Sequence, residues 1–242
     1  MIDPLSAVVS IGSAIAIVGG ATYSIFFTPR ERRRRREKAA LRAAGVVRIA
    51  DLVEGQTVRV TGTVRLADGV APITSPVSRR ECVYYSARAS RLEEGMSAAH
   101  GASSETLKLT EGRAMDFLLV DDSGVAEVIT EHANFDSDFD VVETTRGKGF
   151  TPEQVALLER HAVAVPTGNE IVRPVYIFSD AVFELGERVT VLARVRFAEI
   201  DPTSVVTNPN ADYRGSARPR RVLLVAPEGG NVLISDDKKV AT

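Results

Sequence analysis

The chain has 242 residues, 44% hydrophobic and 26% charged, with a formal charge of −2, enough to fold around a core of its own rather than stay disordered. A single cysteine, Cys82, excludes an internal disulfide framework and any zinc ribbon or RING, which need several ligands per metal. His100, His132 and His161 show no H-E-x-x-H spacing, and outside one arginine-rich run the chain is mildly acidic, which argues against a local-motif metallohydrolase and against a basic nucleic-acid face.

Residues 5–27 contain no charged side chain. At about 1.5 Å per residue such a run crosses the roughly 30 Å hydrocarbon layer of a bilayer. A signal peptide carries its positive charge before a short apolar core. Here the run is long and the charge follows it, so residues 1–28 read as a retained transmembrane signal-anchor. Arg30, Arg32, Arg33, Arg34, Arg35, Arg36 and Lys38 come directly after the run and no basic residue precedes it. The positive-inside rule therefore places the C-terminal domain in the cytoplasm of a single-pass membrane protein. The segment 29–45 is expected to continue as a basic juxtamembrane helix that stops at Gly45. Its charges act as a stop-transfer signal and as contacts to membrane lipids, each worth roughly 1 kcal/mol near an anionic surface. The span already explains them, so no nucleic-acid arm is needed. Gly12, Ala16 and Gly20 are spaced by four on one helical stripe, the pattern that lets two spans pair closely into a homo-oligomer.

From residue 46 the pattern shifts to period two. Residues 57–66 alternate, with Val58, Val60, Gly62, Val64 and Leu66 on one face and Gly62 marking a bulge or sharp bend. Residues 82–92 form a strand with Val83, Tyr85, Ala87 and Ala89 on one face and Tyr84 on the other. Residues 93–112 read as a mobile polar loop. Residues 115–120 and 125–130 pair around the turn Asp121-Asp122-Ser123-Gly124. Thr151-Pro152-Glu153-Gln154 is a capping box that opens a helix running to about Ala162. Residues 175–185 and 189–197 form a second hairpin around Gly186-Glu187. Residues 201–219 read as a surface loop, and 221–225 and 231–235 are the last strands. Some eight short strands and one middle helix predict a mainly β fold: a coiled antiparallel, barrel-like (OB-like) domain over 46–237, with a tail at 238–242.

The chemistry-bearing motifs are few. Asp136-Ser137-Asp138-Phe139-Asp140 begins like a calcium loop, but the positions that need Gly and Glu hold Val141 and Gly147, which leaves an acidic surface turn. Asp121 and Asp122 are neighbours whose side chains diverge. Cys82 opens an alternating strand and reads as core. Phe117, Tyr84 and Tyr85 read as packing residues. G-x-S-x-G, Walker A and Rossmann patterns are absent, so no catalytic, cofactor or metal residue is assigned.

In order along the chain, Thr61-Gly62-Thr63-Val64, Ser75-Pro76-Val77-Ser78 and Glu81-Cys82-Val83-Tyr84-Tyr85 resemble the opening of the GIDE domain, also called BAM for "beside a membrane". Phe117-Leu118-Leu119-Val120-Asp121-Asp122-Ser123-Gly124-Val125 resembles its next motif, a strand ending in Asp followed by a small residue and Gly. Leu185-Gly186-Glu187-Arg188-Val189 resembles its Gly-acid-x-Val strand, and Leu233-Ile234-Ser235 its closing segment. The resemblance covers about four-fifths of the chain and makes Pro76, Cys82, Tyr84, Phe117, Asp121, Gly124 and Gly186 the family-motif positions. It implies a membrane-associated domain. In Mulan-type relatives that domain lies between two spans and a RING makes the protein a ubiquitin ligase. This sequence shows neither a second span nor RING cysteines, so ligase activity does not carry over, and the resemblance supplies no catalytic residue. The expected role is a binding or scaffold module at the cytoplasmic membrane face, with lipids and a protein partner and without cofactor or nucleic acid. The rival expectations are a partner-dependent component of a ubiquitin-ligase-like transfer system and a self-associating envelope-structural protein.

Overall fold

A computed structural model describes residues 29–93, 104–139, 141–146, 149–165, 175–199 and 220–236. The expected anchor, with Gly12, Ala16 and Gly20, lies outside the described residues, as does the expected loop 201–219. Among the described residues no helix is long and apolar enough to cross a membrane. The chain divides into two compact units, residues 1–43 and 44–242. In the first, helix α1 (Pro29–Ala43) starts on a proline and is built from Arg, Glu, Lys, Ala and Leu, all good helix formers. It carries Arg30, Arg32, Arg33, Arg34, Arg35, Arg36 and Lys38, and the Arg35 and Arg36 side chains are exposed.

The second unit is mainly β. Five of its strands close a barrel: β1 (Thr57–Arg65), β5 (Phe117–Val120), β6 (Val125–Val128), β10 (Arg188–Glu199) and β11 (Arg220–Val225). They run in the order β1-β5-β6-β11-β10, and β10 pairs back onto β1. Closure depends on Gly62. Strand β1 pairs with β10 up to Thr63 and with β5 from Thr63 onward. A Cβ on Gly62 would stand 2.8 Å from the Val120 carbonyl oxygen and 2.9 Å from Leu119 Cγ. The bend expected at this glycine is thus a close approach of two backbones. The interior holds Val58, Val60, Val64, Phe117, Leu119, Val128, Val191, Val195 and Leu224. A 3₁₀ turn (Ile49–Asp51) adds Ile49 and Leu52 to the same core.

Strands β7 (Ala133–Asp136) and β12 (Val232–Ser235) extend this sheet beyond β10. The pairs β6–β11 and β7–β12 are parallel, which corrects the expected antiparallel arrangement at these two pairings, while the other strand pairs of this sheet are antiparallel. Hydrophobic alternation sets which face is buried but does not set strand direction.

A second sheet is threaded between the barrel strands. It comprises β2 (Ile73–Thr74), β3 (Glu81–Glu93), β9 (Val175–Glu184) and β8 (Val141–Arg146) in that order, with β4 (Ser104–Ala114) also paired to β3. Helix α2 (Pro152–Arg160) covers it, and both halves of the expected capping box are made by Thr151 and Gln154. Cys82, Tyr85, Ala87, Leu109, Leu157, Leu158, Tyr176 and Phe178 form a core separate from that of the barrel.

Three further expectations are corrected. Residues 104–112, expected within a loop, belong to β4 and pair along most of β3, because tertiary pairing overrides a polar composition. Twelve strands are described rather than eight. Val83 and Tyr85 do not share a face: the register steps from Cys82↔Glu184 to Tyr84↔Phe183, leaving Val83 as an extra residue. This bulge turns Val83 into the barrel core and Cys82 and Tyr85 into the second one.

Candidate functional site

The turn after β2 is held by a buried carboxylate. Asp180 on β9 is fully buried. Its Oδ2 accepts from the Ser75 hydroxyl, from the Ser78 N–H at 3.2 Å and from the Ser78 hydroxyl at 2.6 Å. Arg80 Nη2 stands 3.9 Å from Oδ1, and Arg80 also pairs with Glu184. Pro76 presets the turn backbone, and Arg79 completes it at φ 61°. The folded-over turn seats Val77 on the second core. Beside it, the Cys82 thiol donates to the Ile73 carbonyl at 3.6 Å. Burial, and then the nearby Asp180 charge, push that thiol up to about 11, which keeps it protonated at neutral pH.

Between this turn and α2 lies a cleft of about 550 Å³. Thr74, Ser75 and Pro76 form one wall, Glu153, Ala156 and Arg160 of α2 the other. Tyr85 and the β4 segment Glu111-Gly112-Arg113 complete it. Helix α2 is clipped at both ends. Gln154 Nε2 donates to Glu143 on β8 at 2.7 Å. Arg160 grips Glu111 on β4 with Nη2 at 2.8 Å and Nε at 3.0 Å. His161 Nε2 is 3.2 Å from the same carboxylate, and the Tyr85 hydroxyl donates to it at 2.8 Å.

These contacts set the electrostatics of the cleft. The hydrogen bonds from Arg160 hold the Glu111 carboxyl below its usual range, against burial, which would raise it. Burial, and then Glu111, push the Tyr85 phenol up to about 12. Two groups in the cleft are left over. Arg113 has no ion-pair partner among the described residues, and Glu153 Oε2 is shielded from solvent without a hydrogen-bond partner. The engaged groups fix the shape of the cleft, and of the two left over only Arg113 is exposed.

The positions that carry the GIDE resemblance in the sequence are structural joints, and they do not converge on one site. Pro76 lines the cleft and Cys82 lies in the core behind it. Tyr84 stacks on Phe135 with centroids 3.8 Å apart. Phe117 fills the barrel. Asp121 accepts from the Ile49 N–H at 2.9 Å, the Ser123 N–H and hydroxyl at 2.7 Å and the Gly124 N–H at 2.9 Å. Burial alone would raise its pKa, but these donors outweigh burial and lower it. Gly186 makes the β9–β10 turn at φ 83°.

Tyr85, expected only to pack, also borders the cleft. Elsewhere Ser137 donates to Asp236 at 2.6 Å, and burial, followed by Asp136 and Asp138, raises the pKa of Asp236. Asp140 lies outside the described residues. No group of His, Cys, Asp and Glu among the described residues could hold a metal ion.

Glu111, Arg113, Glu153 and Arg160 were not legible as a site. The alternation Leu107-Lys108-Leu109-Thr110 could have exposed the strand, but nothing local pairs residue 111 with residue 160. Comparison with known proteins gives no match: no family model, curated protein or solved structure is similar to this chain.

Proposed function

We propose that this chain is a membrane-tethered binding or scaffold module of GIDE type, presenting its β domain at the cytoplasmic face of the membrane. The cleft between the Asp180-held turn and α2 carries the binding half of this reading. Its walls are fixed by internal hydrogen bonds, and the exposed Arg113 remains for a ligand. The tether rests on the uncharged run 5–27 and the basic residues that follow it. The closed five-stranded barrel supports the finer OB-like description. A barrel of this kind does not by itself name a ligand.

Fractionation of the full chain with a reporter at its C-terminus tests the tether. The expected result is a membrane-bound protein with a cytoplasmic reporter signal. A soluble protein, or a reporter signal from the far side, would overturn it. Replacing Arg32, Arg33, Arg34, Arg35 and Arg36 together with Gln is expected to weaken retention on anionic vesicles of the fragment starting at Pro29, and to do so less at high salt.

A further inference from the structure

We propose that β4 is a docking edge, onto which an extended segment of a partner protein adds as a further strand of the second sheet, setting an acidic side chain against Arg113. This rests on the reading of the chain as a binding module and is independent of the membrane tether.

Among the described residues β4 pairs with β3 alone, and no described strand bonds the backbone groups of its other edge. The phase of the ladder shows which groups these are. Met115 N–H donates to the Val83 carbonyl at 3.0 Å, and the pairing continues as Tyr85↔Arg113, Ser86↔Gly112, Ala87↔Glu111 and Arg88↔Thr110. In an antiparallel pair, residues alternate between bonding their partner and facing away from it. Arg113 and Glu111 therefore bond β3, and Gly112 and Thr110 turn their N–H and C=O groups outward. Gly112 also lines the cleft and presents no side chain to an approaching backbone.

Glu111 and Arg113 project toward α2, so an added strand would direct alternate side chains into the cleft. An extended peptide added to a sheet edge gains affinity from backbone bonds and specificity from such pockets. The charges select among peptides. Glu111 is already held by Arg160 and Tyr85, whereas Arg113 has no ion-pair partner among the described residues. Its cross-strand neighbour is therefore acidic.

The test uses the full chain in detergent and a displayed library of linear peptides of about nine residues. Selected peptides are expected to share one acidic position. Gly112→Pro removes an outward N–H while leaving the β3–β4 ladder intact, as proline on an edge strand can. It is expected to weaken binding about tenfold or more. Arg113→Glu is a surface change that should do the same, with binding restored by peptides carrying Lys at the acidic position. Backbone exchange at Thr110 and Gly112 should be fast in the free chain and slowed by peptide. Slow exchange without peptide would mean the edge is already covered, and overturns the proposal. So would peptides indifferent to both substitutions, or the absence of any selected peptide. A dimer lost in Gly112→Pro would assign the edge to a second copy of the chain instead. None of these outcomes bears on membrane retention, which is measured separately.

Discussion

Replacing Asp180 with alanine should unseat the turn that forms one wall of the cleft. A single oxygen, Oδ2, accepts from Ser75, from the Ser78 backbone and from the Ser78 hydroxyl, and the side chain has no exposed surface. Removing it strands a buried hydroxyl and a part-buried backbone N–H. An unsatisfied buried donor costs about 1–3 kcal/mol, and two are stranded, whereas the partly exposed Arg80 keeps its pairing with Glu184. The Ser78 hydroxyl is half-buried and can turn to water. Asp180→Ala is therefore expected to cost about 2–5 kcal/mol and Ser78→Ala about 1 kcal/mol. Asp180→Asn keeps one acceptor oxygen and should fall between them.

Tryptophan is absent, so urea unfolding would be followed by far-UV dichroism and tyrosine emission. A double-mutant cycle of Asp180→Ala with Ser78→Ala should show a coupling of about 0.5–3 kcal/mol. A cost of about 1 kcal/mol or less for Asp180→Ala at unchanged m-value, or no coupling, would refute the argument.

Gly62→Ala is expected to cost at least about 1–3 kcal/mol, because the new Cβ meets the Val120 backbone rather than a flexible side chain; a urea midpoint equal to that of the parent would contradict the close approach. Asp121 has a depressed folded-state pKa, so its contribution is present above the usual carboxyl value near 4 and is lost as pH falls through the lower folded value. Asp121→Asn should lower stability at neutral pH and abolish that acid-side loss, as read from unfolding midpoints across pH 2–6 (roughly the carboxyl range). With Cys82 pushed up to about 11, iodoacetamide at mildly alkaline pH should label it only after urea is added. Rapid labelling of the native chain would show the thiol to be exposed.

The sequence showed the parts whose signals are local. The alternation at Val58, Val60 and Val64 marks β1, the Thr151–Gln154 box marks the start of α2, and Asp121 with Gly124 marks a hairpin. It hid whatever depends on partners far along the chain. Strand β4 looks polar because its composition suits an edge, and β2 has only two residues. The Val83 bulge leaves no mark on an alternating pattern, yet it decides which core each neighbour enters. The cleft joins residues 74–76, 111–113 and 153–160, a set that no spacing rule would assemble. Asp180 sits in an apolar strand, where it could have been flagged as a buried acid needing donors, but Ser75 and Ser78 lie about 100 residues away.

The location of the cleft bears on how the proposed binding should be tested. The chain leaves the barrel twice, between β1 and β5 to build β2–β4 and between β6 and β10 to build β7–β9 and α2. The cleft belongs wholly to these two excursions. The pairings that close the barrel are made by β1, β5, β6, β10 and β11, none of which lines the cleft, although Val83 and Phe183 of the excursions pack into the barrel core. Barrel topology thus constrains stability but says little about recognition, and two chains sharing this barrel need not share a ligand. Substitutions that test recognition therefore belong on β4, α2 and the Ser75–Arg80 turn, and those that test the fold belong at Gly62 and Asp121.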